Sequence, residues 1–397
     1  MALAAASLAG CGGGHAGSTQ RTPDGPLTVY LSAPRSGVEA RAGESVAAGA
    51  RQALADAHAR AGGRNIRLVQ LDASKPQSST TWDPAAVEAN AKRAAANPAT
   101  IAYIGELDEG GSAISVPVTN SAGVLQVSPL DGLTTLTREQ PGAPPGTGPA
   151  RYYPSGKRTF LRLVPTDATQ ATALVEWARE RGVRRLAVVQ DEEVFGRVLA
   201  QQVVVAADRA KLPVTDLAEP HDDPTTFDEF SKKLATTRPD AVLYTGVGDA
   251  HAGLLLASVE RAIPHARVFG SSALATAVPT PAGLPAVELL SPLLPGSAYG
   301  PRAGRVLRAA PKGGASGGEA LYGYEAMRVV LDAIAAAGTR AGDRAAVARA
   351  ALAPRTRNSV VGAYRVLPGG DVSPARFGAY EYSATATRYL GERVPHR

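Results

Sequence analysis

The sequence predicts an α/β fold in two lobes, each a doubly wound parallel sheet with helices on both faces. Three observations carry that prediction. Short β-rich apolar runs alternate with helical patterns from Leu27 to about Leu294, the signature of successive βαβ units. A Pro- and Gly-rich stretch at 138–158 interrupts the alternation, which then begins again. The chain has 397 residues, 44% hydrophobic and 20% charged, enough for two or three cored domains and too apolar for a disordered chain.

The first 26 residues stand apart. MALAAASLAGC is an apolar stretch ending in small residues, followed by a Gly/Ser-rich segment, and reads as the back of a secretory signal rather than a fold element. LAGC matches the bacterial lipoprotein box. Small residues before Cys11 give the peptidase access to the backbone, and the thiol takes the acyl group. Cys11 is therefore the expected lipidation site, and residues 1–26 a truncated signal plus flexible tether.

LTVYLS (27–32) opens the first array as a strand, followed by an amphipathic helix expected to run to Gly62-Gly63. IRLVQLD (66–72), a helix over 84–96, TIAYIG (100–105), another helix and GVLQVSP (123–129) complete it. Residues 138–158 read as a long loop beside a domain boundary. The second array has a helix near 170–181, RRLAVVQD (184–191), a helix near 196–210 and a strand near 212–217. A helix near 227–236, DAVLYTG (240–246), a helix near 250–262 and RVFGSS (267–272) close it. Beyond Leu294 come two helical segments, 319–338 and 344–352, and two strand-like ones, 360–366 and 377–383. These last elements return to lobes already formed, so several segments connect the lobes as a hinge.

Several function classes are set aside on composition. The net charge is +6 with 42 basic residues, but the basic residues are dispersed and only 6 Phe and 2 Trp are present. A dedicated nucleic-acid binder concentrates its basic residues on one face, so no nucleic-acid partner is expected. One cysteine excludes a disulfide framework and multi-cysteine metal sites. The 6 histidines, at 15, 58, 221, 251, 265 and 396, contain no pair at metal-ligand spacing. No metal or other cofactor is expected. No run approaches the ~18 apolar residues that a membrane-spanning helix needs.

Catalytic motifs fare no better. GASGG (314–318) matches Gly-x-Ser-x-Gly by letter, but no strand precedes it, as a nucleophile elbow requires. SGKR (155–158) lacks the first glycine and the hydroxyl of a phosphate-binding loop. TGVGDAHAG (245–253) has His251 in place of the third glycine of a dinucleotide fingerprint. No catalytic residue is assigned, and no enzyme activity is expected.

Several segments in order resemble the substrate-binding proteins of ABC transporters, branched-chain amino-acid type. They are SAPRSGVEARAG (32–43), YIGELDEGGSAISVPVTNSAGVLQVSP (103–129), FLRLVPTDATQATAL (160–174), LAVVQDEEVFG (186–196), FDEFSKKLATTRPDAVLYTG (227–246) and ALYGYEAMRVVLDAI (320–334). The resemblance spans roughly Leu27 to Tyr382. It implies the periplasmic-binding-protein type I fold, two doubly wound lobes joined by a three-strand hinge. The expected division is 27–164 plus 293–356 for the first lobe and 165–292 plus 357–392 for the second. It also implies an extracytoplasmic receptor, lipid-anchored through Cys11 to the outer face of the cell membrane. That receptor would act as a monomer, capture a small polar, amino-acid-like ligand between its lobes and deliver it to ABC permease subunits. The competing reading within the fold is a ligand-sensing module feeding a signalling partner. A secreted enzyme, with Ser316 as the nominal nucleophile, is the third.

Ligands of this fold bind where strand C-terminal ends and helix N-termini face the cleft. In the first lobe that places loops 34–37, 106–112 and 130–132 at the ligand, with Ser36, Asp108, Glu109, Ser112, Leu130, Asp131 and Gly132 as candidate contacts. In the second lobe the candidates are Phe195, Gly248, Asp249 and Ser272, with Tyr153 at the cleft mouth beside Tyr152. The family's carboxylate-binding Ser/Thr are replaced here by Asp108 or Glu109 and by Leu130–Gly132, and its amino-group Glu is missing. Carboxylates at these positions repel a ligand carboxylate unless a proton or ammonium group intervenes. The expected ligand is cationic or hydroxyl-rich rather than a plain leucine-like zwitterion.

Overall fold

The computed structural model describes residues 21–37, 39–74, 82–140, 146–192, 194–248, 250–275, 285–311, 318–383 and 385–396. Cys11, Asp249 and Ser316 lie outside them.

Leu27–Ala33 (β1) is buried along its whole length, as a central strand covered on both faces must be. Helix α1 (Ala40–Asp56) starts and ends earlier than its periodicity suggests. His58 and Ala59 both turn left-handed at φ +52°. The pair Gly62-Gly63 (φ +54° and +75°) then closes a hairpin between β2 (Arg60–Ala61) and β3 (Arg64–Asp72). Successive left-handed residues are what such a tight hairpin turn demands, and glycine adopts them without a Cβ clash. Helix α2 (Pro84–Ala96) occupies its expected span because Asp83 accepts the Ala85 N–H and Pro84 sits in the first turn. Strand β4 (Thr100–Ile104), helix α3 (Glu109–Ser121), β5 (Leu125–Ser128) and β6 (Phe160–Arg162) follow.

These strands form one sheet in the order β2-β3-β1-β4-β5-β6. All neighbours are parallel except the β2–β3 hairpin. The order reverses direction between β1 and β4, so the loops after those two strands diverge to opposite faces and leave a crevice.

The second array repeats the plan. Helix α4 (Asp167–Glu180), β7 (Leu186–Val189), α5 (Val194–Arg209), β8 (Val214–Ala218), α6 (Phe227–Thr236) and β9 (Ala241–Tyr244) come first. They are followed by α7 (Ala250–Ala262), β10 (Arg267–Ser271) and β11 (Val287–Ser291). Its parallel strands run β11-β10-β9-β7-β8, with the same reversal between β7 and β9.

Helices α8 (Ala303–Ala309), α9 (Gly318–Ala336) and α10 (Arg344–Leu352) return to the first sheet. A small antiparallel sheet of β12 (Thr356–Ser359), β13 (Gly362–Val366) and β14 (Val372–Ser373) comes next. Val360, Tyr364 and Val366 pack into the first core, although 357–392 was expected with the second lobe. Finally β15 (Phe377–Tyr382) and β16 (Thr387–Arg393) extend the second sheet antiparallel beyond β11.

Each sheet has its own core. Around the first, α1 and α9 cross so closely that a Cβ on Gly49 would stand 1.9 Å from the Ala320 carbonyl oxygen. A Cβ on Gly323 would stand 2.1 Å from that of Val46. Around the second, Trp177 of α4 meets Phe269 of β10 edge-on at 5.6 Å. Among the described residues the chain passes between the two systems after β6, after β11 and after β14. The fold is therefore two doubly wound α/β lobes joined by three crossings.

Candidate functional site

Both reversal points lie at strand C-terminal ends, so the loops after β1, β4 and β5 and those after β7 and β9 are where a ligand would meet this fold. On the first sheet these loops are fixed from within. The Ser36 N–H donates to Ser74 Oγ at 3.1 Å and the two hydroxyls pair at 2.7 Å, which ties the β1 loop to the end of β3. Ser112 accepts the Glu106 N–H at 3.3 Å. Ser128 Oγ accepts the Asp131 N–H at 2.9 Å and donates to the Glu106 carbonyl at 2.7 Å, stitching the β4 and β5 loops together.

Carboxyls dominate what these loops present. Glu106, two residues beyond β4, is buried and its Oε1 accepts a hydrogen bond from the Tyr103 hydroxyl at 2.5 Å. Its Oε2 has no hydrogen-bond partner. Burial pushes Glu106 up to about 7, against the opposing pull of hydroxyls from Tyr103, Ser32 and Ser115. Asp131 is fully buried; Oδ1 accepts the Leu133 N–H at 2.7 Å and Oδ2 has no partner. Burial raises it to about 6 despite Arg162 and the Ser112 hydroxyl. Asp167, the first residue of α4, is equally buried with a partnerless Oδ2, and burial plus the charge of Asp131 raises it to about 7.

Asp108 caps α3 by position but makes no side-chain cap bond. It is only partly covered, with Glu39 as its neighbour. Burial and the neighbouring Glu39, Asp131 and Glu106 hold it well above the ordinary carboxylate range. The six-membered ring of Trp82 lies over the same helix end: a Cβ on Gly110 would stand 2.4 Å from its Cζ2.

Arg162 is the guanidinium that reaches this group, and it is buried. It donates to the Asp131 and Leu133 carbonyls at 3.0 and 2.7 Å and pairs with Asp371 at 3.1 Å. Asp371 is shared with Arg138 at 2.9 Å, so much of the Arg162 charge is already answered. Buried acids without full charge compensation retain protons or await a cation.

The remaining candidates divide. Ser112 and Asp131 join the carboxyl group, and the Gly132 carbonyl accepts the Asp167 N–H at 2.9 Å. Leu130 is half-buried against the first core. Glu109 begins α3, but its side chain is outside the described atoms. Tyr153 does not offer a free hydroxyl at the cleft mouth: it is buried, donates to the Leu136 carbonyl at 2.7 Å and lies under Arg158. Tyr152 is likewise buried, its hydroxyl 3.1 Å from that of Thr135.

In the second lobe Phe195 packs half-buried on the core at the start of α5. Gly248 donates its N–H to the Ala273 carbonyl at 2.8 Å. A Cβ there would stand 2.0 Å from the Leu274 carbonyl oxygen, so this glycine permits a close backbone approach. Ser272 opens a short 3-10 turn, Ser272–Ala275. The loops here are braced by Asp191, whose Oδ2 accepts the Val247 N–H at 2.8 Å. Buried Ser271, ending β10, has a partnerless hydroxyl.

Glu39, Trp82, Glu106, Arg162 and Asp167 were not singled out by sequence reasoning. Glu106 carried a signal, since it directly follows a strand in a loop already assigned to the cleft. Among the described residues no cluster of His, Cys, Asp and Glu could hold a metal ion, and no helix is long and apolar enough to cross a membrane.

Comparison with known proteins gives a consistent outcome. A family model described as periplasmic binding protein matches residues 26–368. A leucine binding protein LivK of Thermotoga maritima aligns at 18% identity and TM-score 0.75, covering 93% of this chain and 99% of that one. An ABC-transporter solute binding protein of R. palustris in complex with benzoate aligns at 17% and 0.72, covering 94% and 97%. A substrate-binding protein of Desulfitobacterium hafniense in complex with Leu aligns at 15% and 0.72, covering 92% and 100%. No curated protein matches in sequence.

Proposed function

This chain belongs to the periplasmic binding protein family, and from that premise we propose that it is the solute receptor of an ABC importer. The family is one of extracytoplasmic solute-binding proteins rather than enzymes, and its ABC-transporter members work with permease partners. The receptor captures a small polar ligand between its lobes, which close by rotation about the three crossings. It acts as a monomer and passes the ligand to permease subunits. Cys11 carries a lipid that holds it at the outer face of the membrane.

The ligand is amino-acid-like and carries a cationic or hydroxyl-rich group. One observation carries this: Glu106 and Asp131, which neighbour Asp108, and Asp167, which neighbours Asp131, each bury a partnerless carboxyl oxygen. The similar proteins crystallised with leucine or benzoate hold ligands bearing a carboxylate, which these acids repel once ionised.

A thermal-shift panel tests the ligand class: L-arginine, L-lysine, putrescine, spermidine and glycerol against L-leucine and benzoate. A ligand present at a hundred times its Kd stabilises by about 2.7 kcal/mol. The expected result is a shift with cations or the polyol. Strong stabilisation by leucine or benzoate, with none by the others, overturns it. Cys11→Ala should release the protein from membranes, and unchanged retention counts against the anchor.

A further inference from the structure

Glu39 neighbours Asp108 and, together with burial, Asp131 and Glu106, raises its carboxyl well above the ordinary carboxylate range. Two neighbouring carboxyls repel when both are ionised, so full ionisation of the pair is disfavoured. Asp108 sits at the partly exposed rim beside buried Glu106 and Asp131, and buried Asp167 neighbours Asp131; each of these three has one carboxyl oxygen without a hydrogen-bond partner. The groups facing this cluster come from every adjoining element: Glu39 just before α1, Tyr103 from β4, Glu106 from the loop after it, and Asp108 just before α3. Asp131 follows β5, Arg162 ends β6 and Asp167 begins α4. The positive charge among them, Arg162, is drawn off to Asp371 at 3.1 Å and to backbone carbonyls.

We infer that the unliganded site holds at least one exchangeable proton among Glu39, Glu106, Asp108, Asp131 and Asp167, and that the ligand's cationic group binds by displacing it. The inference rests on the cationic reading of the ligand made above. No covalent bond changes: an O–H proton leaves a carboxylic acid for bulk buffer, and an ammonium or guanidinium N–H takes its place against the resulting carboxylate. Net charge inside the cluster is thereby conserved, which removes the cost of creating a bare buried anion. Burial and the charge of Asp131 hold Glu106 and Asp167 near 7, and burial holds Asp131 near 6, so the proton is present to be displaced around neutral pH. The titration belongs to the cluster as a whole rather than to one residue.

The exchange predicts pH-dependent affinity with a definite sign. Below the cluster's apparent pKa each bound cation must expel a proton, so affinity should fall by about tenfold per pH unit as the pH drops. Titration calorimetry of the full chain with L-arginine, putrescine and spermidine at pH 7, in phosphate and in Tris, measures the proton directly. The expected result is a binding enthalpy that differs between buffers by the ionisation heat of about one proton per ligand. Equal enthalpies in the two buffers overturn the exchange and leave the cationic ligand standing. If none of the three cations binds, both fall together, whereas binding of leucine or benzoate in the same series preserves the receptor function alone. Infrared spectra of the wild-type chain serve where variants fail to fold. A carboxylic-acid C=O band should be present at pH 7 without ligand and diminish on saturation with the bound cation. A band unchanged by that saturation overturns the exchange.

Discussion

Replacing Glu106 by Gln removes one buried charge while keeping the acceptor for the Tyr103 hydroxyl, so it isolates the cost of ionising this position. The folded carboxyl is raised from its ordinary 4.5 to about 7. At about 1.4 kcal/mol per pH unit, that corresponds to roughly 3.5 kcal/mol of penalty on the folded state at high pH. The sign follows from proton binding. The folded chain holds this proton more tightly than the unfolded chain, so its contribution is fully present below 4.5 and is lost as the pH rises through about 7. Urea denaturation of ligand-free protein at pH 4.5, 6 and 8, followed by Trp82 fluorescence in the same lobe, measures it. Glu106→Gln should match the wild type within about 1 kcal/mol at the acid end, the range of an isosteric amide swap that keeps its hydrogen bond. At pH 8 it should be more stable by about 2–3 kcal/mol, a rise of several degrees in Tm. A variant with the wild-type pH slope, or one destabilised equally at both ends, would refute the burial argument.

Three further substitutions probe what holds the lobes in shape. Gly323→Ala places a methyl against the Val46 carbonyl at 2.1 Å and should cost about 1–3 kcal/mol by forcing α1 and α9 apart; an unchanged melting curve would contradict the close crossing. Arg344→Ala strips the carbonyls of Asn97, Thr100 and Ala122, the first and last part-buried and the second buried, of a donor at 2.9, 2.8 and 2.9 Å. Chemical denaturation should show a loss of at least about 3 kcal/mol. Arg162→Met leaves Asp371 without its buried ion pair and frees the Asp131 and Leu133 carbonyls, for a loss of about 3–5 kcal/mol. Differential scanning calorimetry should record the drop, and wild-type stability would mean that Arg162 is not the strut it appears as in the hydrogen-bond pattern.

The lobes were legible because their signals are local. Strands such as β1, β4 and β9 are short apolar runs, and α2 announces itself through Asp83-Pro84. Local signals fail where one motif has two uses: Gly62-Gly63 reads equally as a helix stop and a hairpin turn, and His58 and Ala59 gave no warning of ending α1 first. Strand β16, TRYLGER, is half polar and pairs only with β15, so its apolar pattern is too weak to stand out. The carboxyl group was half legible. Asp108 and Asp131 follow predicted strands, but Asp167 looks like an ordinary acid favouring a helix N-terminus. Only the crossover from β6, which carries α4 back past the β5 loop, turns it into a buried neighbour of Asp131. Tyr153 failed for the opposite reason: an aromatic in a Pro/Gly-rich loop resembles a surface contact, yet here it fills a small core with Leu136 and Phe160.

The position of that crossover connects charge to movement. The loop bearing Asp131 also grips the start of α4, through the Asp167 N–H on the Gly132 carbonyl at 2.9 Å and the Ala168 N–H on Thr134 Oγ1 at 3.1 Å. Arg162, one strand-end away, reaches the same loop and the Asp371 segment before the third crossing. Asp131 and Asp167 therefore belong to opposite sides of a joint, and their mutual repulsion acts across it. A ligand can bias a conformational equilibrium only through interactions that differ between the two states. A cation that takes the place of a proton leaves the net charge of the pair unchanged, so it biases the joint only by contacting both carboxyls at once, which it can do where they are closest. A neutral solute of the same size would fill the crevice without supplying that difference.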